Sequence, residues 1–394
     1  MAPPPPPELI DDLIGEILLR LPPEDPAFLV RSSLVCKPWH RLLSDGAFLR
    51  QYRAFHQTPP VLGFFQDQYC KGTSVPQYVP TIQASPVPQP AIAIASGPTT
   101  SCCTLDCRHG RVLFQVEDQP SQTLTVWDPI TGNHKRISLP MHQYAVLCAS
   151  DGCDHLGCSG GPFLVVIAGI YDAEEEDDDD EGDADGGPVG WASLYSSETG
   201  VWSASTSINV DSFIDVVLPS LLIRDAIYFI LENGEKILKY GMVGGVLSVI
   251  NAPPQHEPNM IFATAQDGEL GAATVEFYSL HLWSWRATDP DGGIGEWVRC
   301  RVIELDVMIP ISIGDPLTMF DLAGFAEGTG SIFISANDDI FTVELKSGQI
   351  TKTGKRTSGT TFHIHVRSFC YVIFIMFSFF SLVTARLQVP MRTD

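Results

Sequence analysis

Cys148, Cys153, His155 and Cys158 have the side-chain types that bind a soft metal ion. Three thiolates and an imidazole form a donor set suited to zinc. Their spacing is looser than paired Cys-x-x-Cys, and Gly152, Gly157, Gly160 and Gly161 lie among them. The preferred reading is therefore a glycine-rich loop, with no metal and no cofactor expected. Cys102, Cys103 and Cys107 read as ordinary residues near the start of a strand. Nothing at the N-terminal end resembles a secretion leader, so reduced thiols are expected throughout. Two common catalytic signatures are missing: the sequence has no GxxxxGK[ST] and no HExxH. The 10 histidines are scattered, and no catalytic residue is expected.

Composition narrows the partners. The chain of 394 residues carries 47 acidic and 24 basic side chains, a net charge of −23. So acidic a protein is poorly suited to nucleic-acid backbones, and anionic membrane surfaces repel it. No nucleic-acid partner is expected. The acidic run Glu174–Glu181 repels itself and reads as a solvated loop within 172–187.

The stretch from Glu8 to Phe55 has helical periodicity. Leu9, Leu13, Ile17 and Leu21 recur every four residues, flanked by Ile10, Ile14 and Leu18. Pro22 and Pro23 end this helix. Asp25-Pro26 starts a second, Lys37–Leu43 forms a third, and Asp45 caps a fourth that carries Phe48, Leu49, Tyr52 and Phe55. So short a unit carries more apolar surface than it can bury by itself, so part should face a partner.

The order of these residues resembles an F-box. A leucine-rich helix is followed by Leu21-Pro22-Pro23, then Leu34-Val35-Cys36-Lys37-x-Trp39-His40-x-Leu42-Leu43. It is most similar to the F-box of a large plant family, including the following His56–Phe64. One departure is Ile10 where many F-boxes have proline after the first leucine. The resemblance implies docking on a Skp-type adaptor, which bridges to a cullin-RING ubiquitin ligase. The adaptor-binding residues it implies are Leu9, Ile10, Leu13, Ile17, Leu18, Leu21, Pro22, Leu34, Val35, Cys36 and Trp39.

Beyond residue 105 a hairpin pattern repeats. Alternating strands run into polar turns with glycine at 132, 200, 244, 293 and 348. The usual spacing is close to the length of one four-stranded propeller blade. Preceding strands are expected at Arg111–Val116, Phe163–Ile170, Ala226–Leu231, Thr274–Leu280 and Ser331–Ser335. A sixth blade would draw on residues 61–105. This region resembles the kelch-related domain that follows the F-box in the same plant family.

The fold class expected is thus a multidomain α plus all-β chain. A Pro-rich leader (1–7) precedes the F-box helical domain (8–57), then a linker with first-blade strands (58–104). A β-propeller-like domain (105–356) holds the target, and an apolar tail follows (357–394). The uncharged run within 368–385 is long enough to reach the lower limit of a membrane span. Being continuously apolar, it is expected outside the compact body from about 367, leaving the propeller imperfectly closed. The resemblance implies a cytoplasmic or nuclear, non-catalytic adaptor. Competing readings are a propeller enzyme assembled from distant loops and an adaptor anchored by its tail.

Overall fold

A computed structural model describes residues 11–23, 26–56, 61, 63–70, 73–81, 100–118, 121–129, 131–138, 143–150, 152–153, 155, 158, 160–172, 187–210, 220–231, 235–254, 260–288, 295–309, 320–337, 339–355 and 370–372. The Pro-rich leader, the acidic run and the tail beyond 372 lie outside these.

Four helices come first: α1 (Asp11–Leu19), α2 (Pro26–Ser33), α3 (Lys37–Leu43) and α4 (Gly46–His56). Their apolar faces meet in a small core of Leu18, Leu19, Leu29, Leu43, Phe48, Leu49 and Tyr52. Two polar contacts fasten α4 to the end of α1. Tyr52 Oη donates to the Leu21 carbonyl at 2.6 Å, and the His56 ring meets the Leu19 carbonyl through Nε2 at 2.7 Å. Cys36, in extended backbone, precedes α3, and Pro38 occupies its first turn, where a missing N–H costs nothing.

The rest is antiparallel sheet. β1 (Gly63–Cys70) and β2 (Thr73–Pro80) lead into blade 1, β3 (Ser101–Arg108), β4 (Arg111–Asp118), β5 (Ser121–Trp127) and β6 (His134–Ser138). Blade 2 is β7 (Gln143–Cys148), β8 (Phe163–Asp172), β9 (Pro188–Ser196) and β10 (Thr206–Asn209). Blade 3 is β11 (Leu221–Ile223), β12 (Ala226–Ile230), β13 (Lys236–Gly241) and β14 (Val246–Asn251). Blade 4 is β15 (Met260–Thr264), β16 (Leu270–Glu276), β17 (Ser279–Ala287) and β18 (Gly295–Glu304), followed by a helical turn, α5 (Leu305–Met308). Blade 5 is β19 (Phe320–Ala326), β20 (Ser331–Ala336), β21 (Asp339–Glu344) and β22 (Ile350–Lys355), and β23 (Cys370–Val372) ends the series. These five four-stranded sheets form a β-propeller-like arrangement.

The turn glycines at 132, 200, 244 and 348 have φ between 72° and 84°, as the hairpin pattern requires. Gly132, Gly200 and Gly348 each donate a backbone bond to the carbonyl four residues earlier. Gly293 lies outside the described residues. One expected strand is corrected. Thr274–Leu280 is not continuous, because Phe277 (φ 55°) turns the chain between β16 and β17.

Alternation explains how the blades stack. In β8, Val165 and Ile167 face the core shared with blade 1, while Val166 and Ala168 face the core shared with blade 3. Strands buried on both faces carry no polar side, which is why these read as continuous apolar runs. Further cores join blade 3 to 4 and blade 4 to 5. Each fully buried aliphatic or aromatic side chain contributes about 1.5–3 kcal/mol.

The ring is closed by a smaller sheet ordered β2-β1-β23. Phe64 packs on Phe333 of blade 5, with ring centroids 5.6 Å apart. Phe65 packs on Phe114 and Trp127 of blade 1. β23 pairs antiparallel with β1, Phe64 opposite Tyr371, and lies against both β19 and β3. The tail is therefore not wholly outside the body: residues 370–372 supply the inner strand of the closing sheet. Among the described residues that sheet has three strands where each blade has four.

Candidate functional site: an apolar face on the helical unit

The helices leave several large apolar side chains in solvent. Leu13 and Ile17 on α1 are 49% and 50% exposed, and Leu34 and Val35, between α2 and α3, are 61% and 64% exposed. Pro22 and Cys36 are also exposed. Leu13 and Ile17 are four apart, so they stand one turn above another on one side of α1. The backbone N–H groups of Leu34 and Val35 close the last turn of α2 onto the Arg31 and Ser32 carbonyls, which fixes the main chain that carries both side chains.

The structure divides the expected adaptor-binding residues. Leu13, Ile17, Pro22, Leu34, Val35 and Cys36 form the exposed set. Leu21 and Trp39 are half-buried against the helical core. Leu18 is corrected: at 1% exposure it belongs to that core and supports the surface from beneath. Leu9 and Ile10 lie outside the described residues. Phe28 and Phe55, outside the expected adaptor-binding set, are also 43% and 53% exposed. Phe28 sits on α2 beside Arg31, whose guanidinium lies over its ring.

Residues 7–51 match the F-box domain model. The helical unit is an F-box region. The match ends within α4 and covers none of the propeller. No curated protein sequence matches the chain. Solved structures with a similar fold include a Lactobacillus plantarum protein, at 10% identity and TM-score 0.42, with coverage of 75% of this chain and 82% of that one. The periplasmic gluconolactonase PpgL of Pseudomonas aeruginosa shares 13% identity at TM-score 0.39, covering 77% and 85%. A functionally unknown Desulfotomaculum acetoxidans protein shares 11% at TM-score 0.38, covering 80% and 84%.

Two other polar groupings stand apart from the F-box. At the end of β3, buried Arg108 donates to Asp106 (2.5 Å), Glu327 (2.7 Å) and the hydroxyl of Ser220 (3.1 Å). Burial pushes Asp106 up to about 6, with Arg108 opposing the shift. In the β7–β8 connection, the ligand atoms of Cys148, Cys153, His155 and Cys158 lie within 4.8 Å of one another. The loose spacing that argued against a metal did not keep them apart. Among the described residues no helix is long and apolar enough to cross a membrane.

Proposed function

We propose that this chain is the substrate-recognition subunit of an SCF-type cullin-RING ubiquitin ligase. The observation that carries the reading is the exposed set Leu13, Ile17, Leu34 and Val35 on a region matching the F-box domain. F-box domains generally bind Skp-type adaptors, and such an apolar face suits that partner. A few well-packed, fully desolvated side chains carry most of the energy of such an interface.

In this reading the propeller-like body holds the target protein, as in the kelch-related plant family whose F-box this one resembles. Its turns and loops form the surfaces on which recognition is normally built. The chain performs no bond chemistry. It contributes proximity, raising the effective concentration of target lysines near a charged conjugating enzyme. It therefore uses no nucleophile or cofactor for catalysis, and it works in the cytoplasm or nucleus with its ligase partners.

The test is a separation of functions. In a reconstituted ligase, the double substitution Leu34→Asp with Val35→Asp should abolish ubiquitination of co-purified targets while leaving target binding intact. Unchanged ubiquitination, or a turnover activity of the isolated chain removed by a single loop substitution, would overturn the proposal.

A further inference from the structure

We propose that Cys148, Cys153, His155 and Cys158 form a closed, structural zinc site that staples the β7–β8 connection of blade 2 against blade 1. Tetrahedral zinc, with bonds of about 2.3 Å to sulfur and about 2.0 Å to nitrogen, holds its donors roughly 3.5–3.8 Å apart. The four donor atoms here lie within 4.8 Å of one another. His155 Nδ1 and Cys158 Sγ are already 3.8 Å apart. Small side-chain rotations bring the rest to ligating distance.

The surroundings suit a thiolate-rich site. Three thiolates and a divalent ion leave one surplus negative charge. Buried Arg111 meets it, with Nη1 3.8 Å from Cys158 Sγ. The same guanidinium donates through Nη2 to the Cys158 and Gly161 carbonyls, at 2.6 and 3.0 Å, fixing the backbone that carries this ligand. The His155 N–H donates to Cys153 Sγ at 3.3 Å, a bond that favours an anionic sulfur. The Cys148 N–H donates to His109 Nδ1 at 3.1 Å, and the His109 ring stacks on His155 with centroids 3.7 Å apart. Such outer contacts orient metal ligands.

The loop itself gives an independent reason. Other inner-strand turns are tight: His109-Gly110 in blade 1 and Arg224-Asp225 in blade 3. In blade 2 the corresponding connection, residues 149–162, is far longer and holds no helix or strand among its described residues. Connections of that length inside a compact sheet are uncommon without something to order them. His155 also adopts a left-handed backbone, φ 58°, that a non-glycine residue keeps only when its surroundings impose it. All four ligands come from protein, so no position stays open for substrate, and the ion's role is to hold structure.

The experiment uses the full chain, purified under reducing conditions without added metal, and measures metal content by elemental analysis. Cobalt(II) is then exchanged in and the absorption spectrum recorded. The expected result is about one zinc per chain and the thiolate-to-cobalt bands of a tetrahedral site. Cys153→Ser and His155→Asn should each lose metal or bands, while Cys102→Ser, outside the cluster, should keep both. Chelation should expose the three cysteines to alkylation and lower the melting temperature. A folded wild-type chain with negligible zinc and no cobalt–thiolate bands would overturn the proposal. So would an iron–sulfur cluster, or a disulfide among the three cysteines under native alkylation. If the variants fail to fold, the wild-type metal content and cobalt spectrum decide alone.

Discussion

Arg108 Nε donates to Glu327 Oε2 at 2.7 Å, although the residues are 219 positions apart in sequence. This pair ties the inner strand of blade 1 to the β19–β20 turn of blade 5. Arg108 also donates to the Ser220 carbonyl, and Glu327 accepts from the Leu222 N–H at 3.2 Å. Blade 3 thus joins the same knot.

Removing one member should strand buried charge. Arg108→Met leaves the buried Asp106 carboxylate without its cation, held only by the Val146 and Cys107 N–H groups, and is expected to cost about 3–5 kcal/mol in chemical denaturation. Glu16→Gln, which breaks the exposed Arg20–Glu16 pair (2.8 Å), should change stability by less than about 1 kcal/mol. Equal effects would show that the knot contributes no more than a surface pair.

A pH dependence follows from Asp67 on β1. Its carboxylate accepts from the Thr104 N–H and hydroxyl at 3.0–3.1 Å, clasping the closing sheet to blade 1. Burial nevertheless pushes Asp67 up to about 7. The folded protein therefore holds this proton more tightly than the unfolded chain does. Its stabilising contribution is full below the ordinary value of 3.8 and is lost as pH rises through 7. Melting temperatures across pH 4–8 should fall through this window in wild type and fall less in Asp67→Asn. Identical slopes would remove Asp67 as the cause.

The closing strand makes a third prediction. Truncation after residue 366 deletes β23 and leaves β1 edge groups at Gly63–Phe65 unpaired. Amide exchange of those residues should speed up, and the truncated chain should aggregate more readily. Unchanged exchange would show that β23 does not close the ring.

Leu18 and Leu34 separate support from contact. Leu18→Ala opens a cavity in the helical core and should cost about 2–5 kcal/mol of F-box stability. Leu34→Ala removes an exposed side chain and should change stability by less than about 0.5 kcal/mol. Comparable losses from both would place Leu34 in the core.

Local chemistry made much of this fold legible. Proline stops, the periodic leucines and the turn glycines at 132, 200, 244 and 348 located helices and hairpins. The expected adaptor face was legible as apolar surplus, but not which of its residues stay exposed. Leu18 and Ile17 are adjacent and chemically alike, and only packing of α1 against α4 buries one and exposes the other. Strands from residues 61–105 were expected in a further blade, but their pairing with the tail was hidden, because β1 and β23 come from opposite ends of the chain and a short strand in an apolar tail carries no signature of its partner. The knot around Arg108 was hidden for the same reason. The convergence of Cys153 with Cys148 and Cys158 depends on the path of a loop, which spacing alone does not fix.

The most direct test of the adaptor reading is the affinity of the full chain for a purified Skp-type adaptor, measured by calorimetry for wild type and for Leu34→Asp with Val35→Asp. Wild type should bind tightly and the variant about 100-fold or more weakly, with the melting temperature of the propeller unchanged. Failure of the folded wild-type chain to bind, or binding that ignores the double substitution, would contradict it.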